Sequence, residues 1–290
     1  MKRSTFLGMM GGAWLLHSLG DLQRLADLFK GSSERMPAMF IGHGSPMNGI
    51  EQNSYSNKWR EIATKIPTPK AVICISAHWL TKGTFITAMN NPKTIHDFGG
   101  FPRELFELNY PAPGSPDLAK AVVDQVNHPI QLDHDWGLDH GTWTVVRHMF
   151  PEANIPVLQL SIDYNQPAVF HYELGKKLTA LRNQGVLLIG SGNMVHNLGM
   201  VAWDKLNTPF GFDWANEMNS VFKEKIGNSE HEALVNYTTL HSEWRKAIPT
   251  PDHYYPLLYT LGHSDNSKDI VFFNDEAVAG SLTMTSVLFS

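Results

Sequence analysis

Histidines in short, glycine- or serine-bearing turns are the residues of this chain best suited to chemistry. There are 14 of them against a single cysteine, Cys74. One cysteine excludes an intramolecular disulfide, a thiolate-rich zinc centre and a cysteine-held iron–sulfur cluster, so any metal falls to imidazole and carboxylate. Three histidines follow short apolar runs: His43 in Gly42-His43-Gly44-Ser45-Pro46, His78 in Ser76-Ala77-His78-Trp79, and His196 in Gly190-Ser191-Gly192-Asn193-Met194-Val195-His196. The small residues of the last segment predict close approach of the backbone to a bound group. A fourth, His253, stands in Thr250-Pro251-Asp252-His253. Thr250 as cap and Pro251 as first residue predict a helix carrying His253 in its first turn. Imidazole suits zinc, iron, copper and nickel, and a shell of neutral nitrogens leaves the cation strongly Lewis acidic. A lone histidine in a turn is ordinarily a hydrogen-bonding residue, and it is the shared placement after predicted strands that points to a metal site.

Two further places carry reactive groups. His140, in Asp139-His140-Gly141-Thr142-Trp143, lies where Asp139 or Thr142 caps a predicted helix. It reads either as an acid/base beside the metal or as a histidine that packs at a helix start. His96 and Asp97 fall in a long aperiodic loop, where they are expected to contact substrate. Phe98, Phe101 and Tyr110 in the same stretch either line a pocket for a flat ligand or pin the loop down, and the second reading is slightly favoured.

The elements that must position these groups read as alternating short β-branched runs and helical patterns. Strands are predicted over residues 38–41, 71–76, 84–88, 156–161 and 185–190, and helices over 59–65, 116–126, 142–149, 170–183, 214–226 and 231–238. Such alternation predicts an α/β fold: one domain with a central mainly parallel or mixed sheet flanked by helices, and the metal site at the carboxyl ends of the strands. Residues 91–116, rich in proline and glycine, are the long stretch without periodicity.

Composition bounds the partners. With 42% hydrophobic and 18% charged residues over 290 positions the chain can build a sizeable core as one unit. A net charge of −5 without a Lys/Arg-rich run excludes an electrostatic footprint for nucleic acid. The domain is expected over 37–290. Residues 1–36 read as an N-terminal extension, with Lys2 and Arg3 before an apolar stretch from Phe6 to Leu19, the layout of a degenerate twin-arginine export signal. That signal implies a periplasmic protein, and a plain helical extension implies a cytoplasmic one. No stretch after residue 20 is long and apolar enough for a transmembrane span. The sequence sets no oligomeric state.

Read together, GHGSP at 42–46, SAHW at 76–79, IHDFGGFP at 95–102, YPAPGSP at 110–116, DHGTW at 139–143, QLSID at 159–163, SGNMVHNL at 191–198 and TPDHYYPLLY at 250–259 resemble the extradiol aromatic ring-opening dioxygenases, in their 4,5-DOPA dioxygenase branch. The likeness runs in order from Met36 onward. It implies that His43, His78, His196 and His253 gather at one divalent metal, and that His140 faces the substrate. More distant relatives use two histidines and a carboxylate and keep the residue matching His196 as an acid/base, so His196 is ligand or proton carrier. The implied reaction is cleavage of a catechol such as L-DOPA with dioxygen, giving a seco-acid that cyclises. Fe(II) is required for the dioxygen chemistry, and Zn(II) is the metal often associated with this branch. Zinc has no redox chemistry, so a zinc protein would be either a mis-metallated dioxygenase or a hydrolase with metal-bound water as nucleophile. A non-catalytic metal-binding protein on the same fold is the third alternative.

Overall fold

Runs of β-branched and apolar residues bounded by turn formers build the sheet. The structure, a computed structural model, describes residues 35–126, 128–206 and 208–290; the expected N-terminal extension and export signal lie almost wholly outside the described residues. Six strands form the main sheet: β1 (Ala38–Gly42), β2 (Ala71–Ser76), β3 (Val157–Gln159), β4 (Val186–Gly192), β5 (Ile270–Phe273) and β6 (Ser286–Phe289), in the order β5-β6-β1-β4-β2-β3. β1, β4, β2 and β3 pair in parallel, and β6 and β5 add antiparallel at the β1 edge. Among the described residues six longer helices accompany them: α1 (Ser54–Ala63), α2 (Pro116–Gln125), α3 (His140–Met149), α4 (Ala168–Lys177), α5 (Asp213–Gly227) and α6 (Tyr255–His263). The mixed α/β sheet flanked by helices is the architecture expected from the alternating pattern.

Strand alternation divides the core in two. Phe40, Ile73, Ile75 and Leu188 point to one face, with Leu174, Phe222, Leu257 and Leu258. Met39, Ile41, Val72, Cys74, Leu187 and Ile189 point to the other, with Trp59, Trp143 and Val146. Successive side chains leave a strand on opposite faces, so a strand covered on both sides is apolar throughout, and β4, wholly buried between β1 and β2, is the clearest case.

Several expectations are corrected. The run read as a strand over 84–88 forms Thr84–Thr87, but it pairs in parallel with Ile130–Asp133 in a separate two-stranded sheet. Residues 91–116 hold a short strand at Lys93–Thr94 and a helix at Arg103–Glu107. The helix expected over 170–183 ends at Lys177 and continues as a 3-10 turn, Thr179–Gln184. β5 and β6 were not expected at all.

Two buried histidines away from the strand ends make stability acid-sensitive. Burial holds His171 down to about 4, and burial followed by the Arg182 charge holds His263 down to about 3, against 6.5 in an open chain. Between those values and 6.5 the unfolded chain binds protons that the folded chain refuses. Their stabilisation is therefore complete above pH 6.5 and declines as pH falls, by about 2 kcal/mol for each histidine at pH 5. Urea unfolding at pH 7.5 and pH 5 checks this: the midpoint is expected to drop markedly at the lower pH, before most carboxylates titrate.

Candidate metal centre

In the sheet order β1-β4-β2, the carboxyl ends that precede His43, His196 and His78 lie side by side. His43 follows β1 directly, and its amide donates to the Gly192 carbonyl of β4 (3.1 Å). The His196 loop is held from two sides: the His196 amide donates to the Ala247 carbonyl, and the Thr283 hydroxyl accepts from the Val195 amide. His253 lies in the turn before α6, which starts at Tyr255, and so is not in the first turn of a helix as expected. His140 is the first residue of α3, which Asp139 caps through the Thr142 amide (3.1 Å).

The five imidazoles converge. His43 and His78 face each other through Nε2 at 3.2 Å. The His253 ring centre lies 5.3 Å from that of His43 and 5.0 Å from that of His78, and His196 stacks on His253 at 3.5 Å with 5° between the planes. His140 approaches His78 at 3.9 Å. Ligating atoms of His43, His78 and His140 lie within 4.8 Å of one another, and so do those of His196, Asp252 and His253. Burial, then the neighbouring histidine charges, holds His43 and His78 well below 6.5, and the same causes bring His196 to about 3. At neutral pH these three rings are uncharged and free to ligate.

What lies behind the rings decides which nitrogen faces inward. Ser191 Oγ donates to the Gly141 carbonyl (2.5 Å), so its oxygen accepts from His43 Nδ1–H (3.0 Å). His253 Nδ1–H donates to Asp252 Oδ2 (2.5 Å), and His140 Nδ1–H to Asp97 Oδ2 (2.9 Å). A carboxylate can only accept, so the neutral form of each ring carries its proton on Nδ1 and its lone pair on Nε2. Acceptors outside and bare nitrogens inside are what a divalent cation bound by imidazoles needs. The residues therefore fit a metal.

Sequence reasoning missed the outer groups: Ser191, Asp252, and the buried set under the α3 start, where Ser76 Oγ and Gln159 Nε2 both donate to Asp139 at 2.7 Å. Only Asp252 left a signal, a carboxylate next to a candidate ligand. His96 and Asp97, read as substrate contacts, are both engaged within the protein. His96 Nε2 donates to the Leu108 carbonyl (2.9 Å), and Asp97 Oδ1 accepts from the His140 amide (2.9 Å). Phe98 sits edge-on to His140 and packs with Phe101, Phe106 and Trp143, while Tyr110 donates to the Phe150 carbonyl, so these aromatics pin the loop. The glycines of β4 admit protein, not a bound group: a Cβ on Gly192 would lie 2.2 Å from the His253 carbonyl oxygen, and one on Gly190 2.3 Å from that of Pro256.

An α/β sheet with a histidine cluster at its strand ends defines a metal-binding enzyme of the kind that binds ligands outside the carboxyl edge. Residues 37–286 match the family model described as the catalytic LigB subunit of aromatic ring-opening dioxygenase, and the chain belongs to this family. It is 48% identical over 261 residues to 4,5-DOPA dioxygenase extradiol of Escherichia coli (strain K12), covering 88% of this chain and 95% of that one. To the protein of the same name in Beta vulgaris it is 38% identical, covering 81% and 90%. A crystal structure of an uncharacterized protein from Escherichia coli K12 superposes with a TM-score of 0.77 at 42% identity, over 88% of this chain and all of the other. The protein is thus an extradiol ring-cleaving dioxygenase. Among the described residues no helix is long and apolar enough to cross a membrane.

Proposed function

We propose that the domain over 37–290 cleaves the ring of a catechol such as L-DOPA at the 4,5 position, with one Fe(II) held by His43, His78, His196 and His253. The observation that carries this is the orientation of the rings: His43 and His253 are tied from behind by Ser191 and Asp252, which leaves Nε2 of each bare. The curated relatives named as 4,5-DOPA dioxygenases support the substrate class. Fe(II) held there would supply Lewis acidity toward the catechol and the electrons dioxygen needs, whereas zinc would supply the Lewis acidity alone.

The protein's own groups do the rest. His140, 5% exposed, keeps Nε2 as a base for a catechol hydroxyl proton, while Phe98 against its ring and the Trp143 wall exclude water from that side. His196, on the more open side of the cluster and stacked on His253, would join the ligand set from that side.

Oxygen uptake and product absorbance with L-DOPA and a panel of small catechols test the reading, comparing protein loaded anaerobically with Fe(II) and with Zn(II). Uptake matched by a yellow ring-opened product is expected with iron only. No uptake with any catechol would end the catechol assignment.

A further inference from the structure

Asp97 reaches the cluster from the loop after Lys93–Thr94, 43 residues before His140, and spends both carboxylate oxygens on that one residue: Oδ1 on the backbone amide and Oδ2 on Nδ1–H, each at 2.9 Å. The loop is built to deliver it. Trp143 Nε1 donates to the Ile95 carbonyl (2.9 Å), His96 is tied to Leu108, and the Ile95 amide donates to the Leu138 carbonyl (2.7 Å). The carboxylate side chain is 18% exposed, and the His140 ring is clasped between Phe98 and His78. His78 Nδ1 lies 3.4 Å from Asp97 Oδ2, longer than a hydrogen bond of that kind.

We propose that Asp97 is a positioning residue that holds His140 in the Nδ1–H tautomer, so that the ring presents an unprotonated Nε2 to the substrate side of the metal centre. This gives Asp97 a role different from the substrate contact expected of it, and it rests on His140 acting as the base in the proposed reaction. A carboxylate accepts two N–H groups from His140. An asparagine at 97 can accept only one, because its amide nitrogen donates, and that donor facing Nδ1 turns the ring to the Nε2–H tautomer with no lone pair toward the catechol. Geometry and fold survive while the base is lost.

Asp97→Asn is the test. In the iron-loaded enzyme kcat is expected to fall about 10²- to 10⁴-fold while KM for the catechol and metal content stay within about threefold of wild type. Asp97→Glu, which keeps an accepting carboxylate, is expected to recover at least tenfold of the loss. Independently of turnover, ring-nitrogen 15N NMR of the zinc-loaded protein is expected to show His140 as Nδ1–H in wild type and as Nε2–H in Asp97→Asn. An unchanged kcat, a raised KM with kcat intact, loss of metal from Asp97→Asn, or Nε2–H already in wild type would each overturn the proposal. If no catechol is cleaved by wild type, the proposed reaction fails on its own account, and the tautomer measurement still decides the role of Asp97.

Discussion

His78→Ala is expected to strip the metal and end ring cleavage together while leaving the fold standing. His78 follows β2, its Nε2 faces that of His43, and its ring touches the environments of His140 and His253. Removing it deletes one of four proposed imidazole ligands, and since loss of an outer partner alone commonly costs 10- to 100-fold in affinity, loss of a ligand is expected to exceed about 100-fold. Stability of the metal-free protein should change little, because the side chain is 20% exposed and β2 is held on both sides by β4 and β3. Metal analysis after dialysis, oxygen uptake and a thermal melt of the metal-free protein read the three parts. His140→Ala supplies the contrast: metal retained, kcat lowered. Metal retention with full turnover in His78→Ala would sink the proposed ligand set, and metal loss in His140→Ala would move His140 into it.

Gly192→Ala is expected to be the most damaging single methyl in the site. Its Cβ would sit 2.2 Å from the carbonyl oxygen and 3.0 Å from the carbonyl carbon of His253, and both are backbone atoms that cannot rotate away. The same carbonyl accepts from the Asn193 amide at 3.0 Å, so moving it also breaks the bond that ties the His253 turn to the end of β4. Relief requires shifting that turn by roughly 1 Å, at a cost on the order of 2–4 kcal/mol. For a domain of this size that lowers Tm by about 4–8 °C. Because His253 moves with its own carbonyl, metal affinity should fall alongside stability. Gly227→Ala, where an added Cβ meets nothing within 4 Å, is the matched control and should be near neutral. Calorimetry together with metal titration of both variants checks the pair; a Gly192→Ala protein that melts and binds like wild type would show that the turn is not held where the structure has it.

The parts of the fold that were legible were those whose signal is local. Ala71–Ser76 and Val186–Gly192 announce themselves as uninterrupted apolar runs, because a strand covered on both faces has no polar side to show. Asp139 was legible as a cap because the residue three positions on is already in the helix. Thr84–Thr87 looked like another strand of the main sheet, and its pairing with Ile130–Asp133 could not be read, since register and partner depend on a segment some 45 residues away. β5 and β6 were missed for a related reason: short antiparallel strands at an edge are defined by the neighbour that accepts them.

The candidate site divides along the same line. Residue type and placement after a strand singled out His43, His78 and His196 as candidates, and the one-cysteine composition left any metal to imidazole and carboxylate. Which nitrogen of each ring faces inward was decided by tertiary structure alone. Ser191 meets His43 across 148 positions and Asp97 meets His140 across 43, and neither pairing leaves a trace in local spacing. His253 reaches the others only because glycines in β4 let its turn lie against the strand. By itself, then, the sequence determined the donor chemistry and the sheet edge that carries it, since both follow from side-chain type and short-range pattern. Only the folded chain decided how the donors are oriented, because orientation comes from hydrogen bonds and close backbone contacts between segments far apart in sequence.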